Sequence, residues 1–455
     1  SNPIDPIFSP PGSGDVQREY DRFVNANFTR VSRDGYGVFQ FIPWARSTRV
    51  AFDGDLASDV KSLNQVGLRQ DRHASYAGLR ISDLRTSAHH NVKFGADLSR
   101  ENFSGTQTFA CFTADCNLTP ATPPPPPPAP GFFAFNSSQH QSGSQTGVYA
   151  QDKWEPSTNL AIDIGLRYDH STGYTGGWQL SPRIGFNLSD GGKNILHAYY
   201  GRFYAAPQLE DVRQDCVILN GCSGTPVYDL QPERDAYYEI GIAHTFNSHM
   251  KGYVNIFTKT TVNVLDTTQL LNTPLFAVFN NATGVDTGAE FRLENQEHDG
   301  DSWFFSGTVS GAYAGGISGS TFLFPTSANQ GLPLTSPALL APEDHDQTIA
   351  ATGGYTHRFG AGKAWYGSLQ SNYGTGYPVA FQKATLNLSG RLPSHVTFDL
   401  SVGKNLTSDA KRGLGVSLDV ENLLNHQYVL KIANGFNTTQ IASGRKFVFR
   451  LTAPF

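Results

Sequence analysis

Apolar residues recur at every second position over long segments of this chain, and this repeat restricts the fold more than any other feature. In segment 160–168 the apolar row is Leu160, Ile162, Ile164, Leu166 and Tyr168. Segments 92–98, 285–293, 396–402 and 447–455 repeat the pattern. Because side chains alternate between the two faces of a strand, one face would lie in an apolar medium and the other in water. Two media fit this pattern: the core of a soluble β-sandwich, or lipid around a barrel with a wet lumen.

About 17 segments show the alternation, and many contain about 11–13 residues. They lie near 20–31, 36–48, 68–84, 91–103, 144–154, 160–171, 180–189, 194–205, 235–246, 251–264, 284–294, 303–315, 347–358, 364–377, 394–405, 413–424 and 444–455. A tilted strand crosses a bilayer in about 9–11 residues, whereas globular strands are usually shorter. The 46 Gly, 31 Phe and 19 Tyr residues also favour turns and strands. The chain is therefore predicted to be all-β.

Other protein classes are disfavoured by what the sequence lacks. No run of about 18 apolar residues is present, which excludes a helical membrane protein. The net charge of −5 and the absence of a Lys/Arg block argue against nucleic-acid binding. No HExxH, GxSxG or glycine-rich phosphate loop occurs, so we predict no enzymatic activity and no cofactor. The first residues, SNPIDPIFSP, have no basic region or apolar stretch of a signal peptide.

The connections between these segments alternate in length. Short turns lie at 32–35, 86–90, 155–159, 189–193, 247–250, 295–301, 360–362 and 407–413, and long segments at 104–143, 206–234, 316–346 and 425–443. Outer-membrane barrels have short turns at the periplasmic end and long loops outside. We therefore predict one domain over 1–455, a transmembrane antiparallel up-and-down β-barrel, with 104–143 as a long Pro-rich extracellular loop.

Large aromatic residues stand beside the short turns, namely Trp154, Phe246, Trp303, Phe359 and Trp365. An aromatic belt at a membrane interface explains this placement, although aromatic packing at the turns of a soluble protein would look similar. If the short turns are periplasmic, the first and the last strand run in the same direction. Since closed bacterial barrels normally have an even number of strands, we expect an odd number of further strands before residue 1.

Four cysteines form two close pairs, Cys111 with Cys116 and Cys216 with Cys222, each in a segment that resembles a loop. Such local pairs predict two disulfides in an oxidising compartment, and free loop thiols are the alternative. The segment EDHDQ carries Glu343, Asp344, His345 and Asp346, which could bind a hard cation or, more commonly, be solvated or paired with arginine. We therefore predict no metal site.

The polar rows of the predicted strands carry charged residues that would face the lumen, namely Asp163, Arg167, Arg183, Glu239, Glu290, Arg292, Asp399, Asp419 and Glu421. They could form a path for a solute or salt bridges that fill a wet interior. In the segment YYGRFYAAP, Tyr200, Arg202 and Tyr204 lead toward a long loop. These three residues are candidate ligand contacts, because aromatic and guanidinium groups bind sugars and anions. An interfacial girdle would use the same residue types.

Several motifs, in order along the chain, resemble the barrel domain of TonB-dependent outer-membrane receptors. They are GVYAQDKWEPSTNLAIDIGLRYD (147–169), YYGRFYAAP (199–207), PERDAYYEIGI (232–242), GVDTGAEFRLE (284–294), and LDVENLLNHQYV (418–429) followed by GRKFVFRLTAPF. With EDHDQ at 343–347, the pattern is most similar to the subgroup that often carries a carboxypeptidase-like regulatory domain.

The resemblance implies a family barrel of 22 strands around an N-terminal plug. With about 17 strands and no plug or TonB box before residue 20, this chain is expected to be the C-terminal part of such a receptor. It implies an outer-membrane protein that takes up a scarce or bulky solute: a ferric chelate, a corrinoid or an oligosaccharide. Expected partners are the lipid bilayer, the TonB complex through the missing plug, and the barrel-assembly machinery, which would recognise Phe455. A passive porin is the alternative function, and a soluble β-rich adhesin is a third.

Overall fold

The computed structural model describes residues 14–60, 66–111, 133–173, 175–209, 230–269, 276–316, 319–320, 340–343, 345–383, 386–407, 413–431 and 440–453. Its strands are β1 (Val16–Asn25), β2 (Phe28–Val31), β3 (Gly37–Asp53), β4 (Val66–Thr86), β5 (His90–Cys111), β6 (Phe133–Ser157), β7 (Leu160–Gly173), β8 (Gly177–Ser189), β9 (Asn194–Ala205), β10 (Glu233–Thr245), β11 (Met250–Gln269), β12 (Phe276–His298), β13 (Asp301–Gly315), β14 (Gly319–Ser320), β15 (Ala341–Pro342), β16 (Ile349–Phe359), β17 (Trp365–Gly374), β18 (Pro378–Lys383), β19 (Leu386–Arg391), β20 (His395–Asn405), β21 (Gly415–Glu421), β22 (Val429–Lys431), β23 (Gln440–Ile441) and β24 (Lys446–Thr452). The helices are α1 (Leu56–Asp59) and a 3₁₀ turn (Ala361–Lys363). Neither helix in this described part has the length and apolar character that crossing a membrane requires.

One antiparallel sheet contains most of these strands. β1 and β2 pair with successive parts of β3, and β14 and β15 are two-residue additions to β12 and β13. With β1 and β2 counted as one strand and these additions left out, 17 long strands follow one another, each paired with the next in sequence. The predicted number and up-and-down order are confirmed. The hairpins β18–β19 and β22–β23 stand apart, and no pairing joins β1 to β24 within the described chain.

The predicted short turns that the structure describes lie at one end of the sheet, which we call the turn end; the opposite end is the loop end. In the turn between β8 and β9, Oδ1 of Asp190 accepts the backbone N–H groups of Gly192 (2.9 Å), Lys193 (2.9 Å) and Asn194 (3.0 Å). These bonds lower the pKa of Asp190 to about 2. Gly191, with a φ of 77°, supplies the left-handed conformation that this turn requires. Local side-chain bonds thus set the hairpin register.

The strand register divides the side chains into two faces. On β7, Ile164, Leu166 and Tyr168 are exposed at 51%, 46% and 40%, whereas the side chains of Arg167 and Asp169 between them are exposed at 28% and 14%. The strand pairing continues both rows from β5 to β24. We call the row that contains Ile164, Leu166 and Tyr168 the apolar face, and the row that contains Arg167 and Asp169 the polar face. The apolar face continues through exposed residues on later strands, including Ile184, Ile240, Ile256, Phe305, Leu369, Val402, Leu418 and Phe449.

This exposed apolar face rules out the soluble alternative. In a β-sandwich the apolar rows of two sheets would pack against each other and be buried. Here Ile240 and Ile256 are exposed at 52% and 58%. A contiguous exposed apolar surface of this extent needs lipid or a partner to cover it. The third alternative, a soluble β-rich adhesin or sandwich, is therefore wrong. Trp154, Phe246, Phe359 and Trp365 are also exposed on this face at the turn end, as a membrane belt requires.

Strands β4, β5 and β6 are longer than the alternation indicated, with 21, 22 and 25 residues. Both ends of the connection that we predicted over 104–143 are strands, because β5 continues to Cys111 and β6 begins at Phe133. The proline run of this segment lies outside the described residues. So do Cys116, Cys216, Cys222 and Phe455, so the two disulfides and the assembly signal stay predictions.

Candidate functional site

The nine charged residues that we predicted to face a lumen lie together on the polar face. They are Asp163, Arg167 and Arg183 on β7 and β8, Glu239 on β10, Glu290 and Arg292 on β12, and Asp399, Asp419 and Glu421 on β20 and β21. The alternation alone was sufficient to place them there. The alternation gave no information on the side chains with which these residues form ion pairs and hydrogen bonds. These contacts form three separate groups, which we call the sectors of the polar face.

A network of ion pairs joins β4, β5 and β7 in the first sector. Arg167 donates from Nη1 to Asp97 (2.9 Å) and from Nε to Asp169 (2.8 Å). Arg80 donates to the other oxygen of Asp97 (2.9 Å). The guanidinium carbon of Arg167 also lies 5.7 Å from the centre of the Tyr149 ring. Arg167 is therefore the residue on which the charge balance of this sector depends.

Glu239 organises the next sector, where β9 meets β10. The Tyr237 hydroxyl donates to Oε2 of Glu239 (2.6 Å), and Nε2 of His197 lies 3.0 Å from Oε1. The Tyr199 and Tyr237 rings stand 6.2 Å apart between centroids. Both carboxylate oxygens are thus satisfied by side chains, which makes this a structural cluster.

The third sector, on β20, β21 and β24, is acidic. The backbone N–H of Asn422 donates to Asp399 (2.7 Å), and the Ser401 hydroxyl donates to Asp419 (2.5 Å). Arg450 pairs with Asp419 at 3.3 Å. Arg450 is the single basic partner among these contacts, and Lys446 of β24 lies opposite Glu421 in the register. Three carboxylates thus share this part of the polar face with two basic residues.

Residues of the β9–β10 connection fold onto the polar face at the loop end. Leu209 is fully buried between Ala74 of β4 and Phe103 of β5. On the other side, Leu230 packs against Val278 of β12. Both Ala74 and Phe103 belong to the polar face, so the two ends of this connection, 206–209 and 230–232, are anchored inside the curve of the sheet.

A buried amide fixes the second of these anchors. Asn280 of β12 has no exposed surface, and its Oδ1 accepts the backbone N–H of Gln231 (2.8 Å). Its Nδ2 donates to the carbonyls of Gln231 (3.0 Å) and Asn263 (2.9 Å). Thr175 donates to the carbonyl of Leu230 (3.1 Å). Nothing in the strand alternation identified Asn280 or Leu209, because their partners are distant in sequence.

Two of the cavities on the polar face share one tyrosine. A cavity of about 780 Å³ lies along β11–β20, and Tyr377, His395 and Tyr428 form its aromatic side. A second cavity of about 520 Å³ lies between β17 and β24 and is also lined by Tyr428. The Tyr428 and His395 rings are stacked, with 3.7 Å between centroids and 7° between planes. The sequence patterns did not indicate this stacked pair.

The three candidate ligand contacts on β9 do not form one site. Tyr200 lies on the apolar face, where its ring is 4.9 Å from that of Tyr238 and opposite Ile184. Arg202 is exposed, and its one close side-chain contact in the described chain is with Gln179. Tyr204 alone turns toward the polar face, where its hydroxyl donates to Ser171 (2.9 Å). The interpretation of these residues as a joint ligand contact is not supported by the geometry.

In the acidic segment at 343–347, Asp346 has structural contacts. Asp346 is 5% exposed, forms an ion pair with Arg391, and accepts the backbone N–H of Ala312 (3.0 Å). The ring of His345 lies 6.4 Å from that of Tyr377. Asp344 lies outside the described residues. No group of three His, Cys, Asp or Glu side chains with metal-binding geometry occurs in the part of the chain that the structure covers.

Comparison with known proteins adds to this geometry. The family model described as "TonB dependent receptor-like, beta-barrel" matches residues 5–423. No curated protein matches the sequence.

Three solved structures show the same fold at low identity. The ferric yersiniabactin uptake receptor FyuA from Yersinia pestis has 12% identity and a TM-score of 0.66, covering 96% of this chain and 61% of that one. The FrpB iron transporter from Neisseria meningitidis has 14% identity and a TM-score of 0.67, covering 95% and 62%. The pyoverdine receptor FpvA from Pseudomonas aeruginosa PAO1 has 14% identity and a TM-score of 0.65, covering 96% and 61%.

The chain thus spans about three fifths of the length of these structures. The family model covers most of the sequence, and the sheet has the strand order, the exposed apolar face and the polar face of an outer-membrane barrel. The chain therefore belongs to the family of TonB-dependent receptor β-barrels, proteins of the bacterial outer membrane.

Proposed function

We propose that this chain forms the wall of an outer-membrane importer that takes up a scarce or bulky solute with energy from the TonB complex. The observation that carries the proposal is the polar face, which is continuous from β5 to β24 and is backed by an exposed apolar face. Such a sheet would place a hydrophilic path inside a lipid-exposed wall. The nine charged residues would line this path, and the family match supports the coupling to TonB.

The coupling would act through a plug domain, and we assign no residue of this chain to the TonB contact. Membership of the subgroup with a carboxypeptidase-like regulatory domain is proposed from the sequence motifs alone. Recognition of Phe455 by the barrel-assembly machinery is proposed on the same basis. The solute belongs to the classes that the resemblance implies: ferric chelates, corrinoids or oligosaccharides.

A passive porin is the second candidate, and one observation favours it. Leu209 and Leu230 anchor the β9–β10 connection to the polar face, as a constricting loop in a porin would be anchored. The two functions differ in their need for energy, because a porin passes solutes by diffusion whereas an importer of this family depends on TonB.

Solute uptake with and without TonB separates the two functions. The gene is expressed in its host with intact and with deleted TonB, and uptake of radiolabelled solutes from the three classes is measured. The importer predicts uptake that is lost without TonB, together with low steady conductance of the purified protein in planar bilayers. Uptake that persists without TonB, together with a stable open conductance, would establish the porin.

A further inference from the structure

The cavity of about 780 Å³ on the polar face carries information on the class of solute. Its volume lies in the range of small-molecule sites, about 300–1,000 Å³. Its walls come from β11, β12, β13, β16, β17 and β20, together with Tyr377 and Tyr428 from the loop end. The cavity therefore joins the entrance of the polar face to its middle.

Tyr428 is held in place as a flat platform. It stacks on His395 at 3.7 Å, and the segment before it is fixed by Asn422, which is 7% exposed and has a φ of 51°. Nδ2 of Asn422 donates to the carbonyls of His426 (2.9 Å) and Ser443 (3.0 Å), and its Oδ1 accepts the N–H of His426 (2.9 Å). Because this ring is already held in one orientation, binding of a solute would not have to pay the entropy cost of ordering it.

Neutral polar groups surround the platform. Gln347, Thr352, Asn372 and Thr397 line the same cavity. Nε2 of Gln347 donates to the carbonyl of Thr375 (2.8 Å). This bond fixes the orientation of the amide, so that its Oε1 can accept a hydrogen bond from a solute. Amide and hydroxyl groups can both donate and accept hydrogen bonds. An aromatic surface next to such groups suits a ring that has an apolar face and hydroxyls at its edge.

The charges in the cavity disfavour an anion. Glu290 and Glu294 line it with a single arginine, Arg292, and the Nε of Arg292 is bound to Glu294 at 2.7 Å. Glu290 has no ion-pair partner within the described chain. The neighbouring cavity is lined by Asp399, Asp419 and Glu421, and its Arg450 pairs with Asp419. Carboxylates would repel an anionic ferric chelate, whereas they accept hydrogen bonds from neutral hydroxyls.

We propose that this cavity binds a neutral oligosaccharide, with one sugar ring stacked on the half-buried Tyr428 ring where it lines the cavity, and its hydroxyls bonded to the amides and carboxylates of the wall. The proposal rests on the uptake function stated above and names the solute class for it. It distinguishes this chain from a receptor for anionic ferric chelates, for which a basic cavity would be required.

The test is binding of the whole protein, extracted from the outer membrane in detergent, to an array of neutral oligosaccharides and to ferric citrate. The wild type is expected to bind neutral oligosaccharides and to bind ferric citrate at least about tenfold more weakly. Tyr428→Ala is expected to lower the affinity for the bound oligosaccharide about tenfold, and Tyr428→Phe to keep it within about threefold. Tyr200→Ala, a tyrosine on the apolar face, is the matched control and should leave affinity unchanged.

Thr352→Phe provides a second variant, because it fills the cavity from β16 without altering the platform. Thr352→Phe should abolish oligosaccharide binding, and heat-modifiable migration shows that each variant is folded. Binding of no neutral oligosaccharide, tighter binding of ferric citrate, or full affinity in both Tyr428→Ala and Thr352→Phe would overturn the proposal. Because binding is measured without TonB, a failure here leaves the energy requirement of transport to be decided by the uptake experiment.

Discussion

Replacing Arg167 by methionine is the most informative single perturbation of the polar face. The change keeps the apolar part of the side chain and removes its bonds to Asp97 and Asp169. Asp97 retains Arg80 at 2.9 Å, so its charge stays compensated. Asp169 is only 14% exposed and loses the one side chain that hydrogen-bonds to it within the described chain. The cost should therefore arise mainly at Asp169.

The expected magnitude follows from the kind of bond that is lost. Leaving a largely buried charged acceptor without its hydrogen bond costs about 1.5–3 kcal/mol. Arg80→Met is the matched control: Arg80 contacts the same Asp97 but is 62% exposed. Exposed ion pairs contribute about 0–1 kcal/mol, so this variant should be close to wild type. Adding Asp169→Asn to Arg167→Met should recover about 1 kcal/mol, because the stranded charge is removed.

Urea unfolding of the protein in lipid vesicles measures these differences as shifts in the free energy of unfolding. The three variants are compared at equal lipid composition and ionic strength. The reasoning is refuted if Arg167→Met stays within about 0.5 kcal/mol of wild type, or if Arg80→Met costs as much. Either outcome would mean that water in the polar face screens this network completely.

Three further predictions concern other parts of the sheet. Asn422→Asp removes the two hydrogen bonds that its amide donates, one of them to His426, and should lower the local stability of segment 422–428 by about 1–3 kcal/mol in hydrogen exchange. Asp190 has a folded-state pKa of about 2, below its ordinary value, so the stability that it gives to the turn is complete above about pH 4 and is lost as the pH falls toward 2. Amide protection in the turn 190–194 should therefore fall between these pH values, and Asp190→Asn should remove this pH dependence. Tyr200→Ala loses the ring contact with Tyr238 and should lower the free energy of unfolding by about 0.5–1.5 kcal/mol while solute uptake is unchanged. A loss of uptake in this variant would mean that Tyr200 contacts the solute.

The strands could be predicted from sequence wherever lipid contrasts with water. Ile164, Leu166 and Tyr168 alternate with polar residues because the two faces of β7 lie in different media. In 104–111 and 133–143 this contrast disappears and polar residues occupy both rows. The parts of β5 and β6 at the loop end were therefore interpreted as loop, although their backbone pairing continues.

The candidate site was less accessible to sequence reasoning. Tyr200 was misassigned because the motif YYGRFY was interpreted as a unit, whereas its parity with Leu196 and Ala198 places it on the apolar face. The Tyr428–His395 stack joins residues 33 positions apart in the chain, and no periodicity encodes such a contact. The fold thus follows from a local repeat, while the cavity depends on long-range packing.

The most direct test of the two-faced wall is site-directed spin labelling along β7. In a background with the four native cysteines replaced by serine, Asp163→Cys, Ile164→Cys, Leu166→Cys, Arg167→Cys and Tyr168→Cys are labelled one at a time in lipid vesicles. The account predicts that labels at 164, 166 and 168 are relaxed by oxygen dissolved in lipid, and that labels at 163 and 167 are relaxed by a water-soluble nickel chelate. Equal accessibility of all five positions to the nickel chelate, or the reverse alternation, would contradict it.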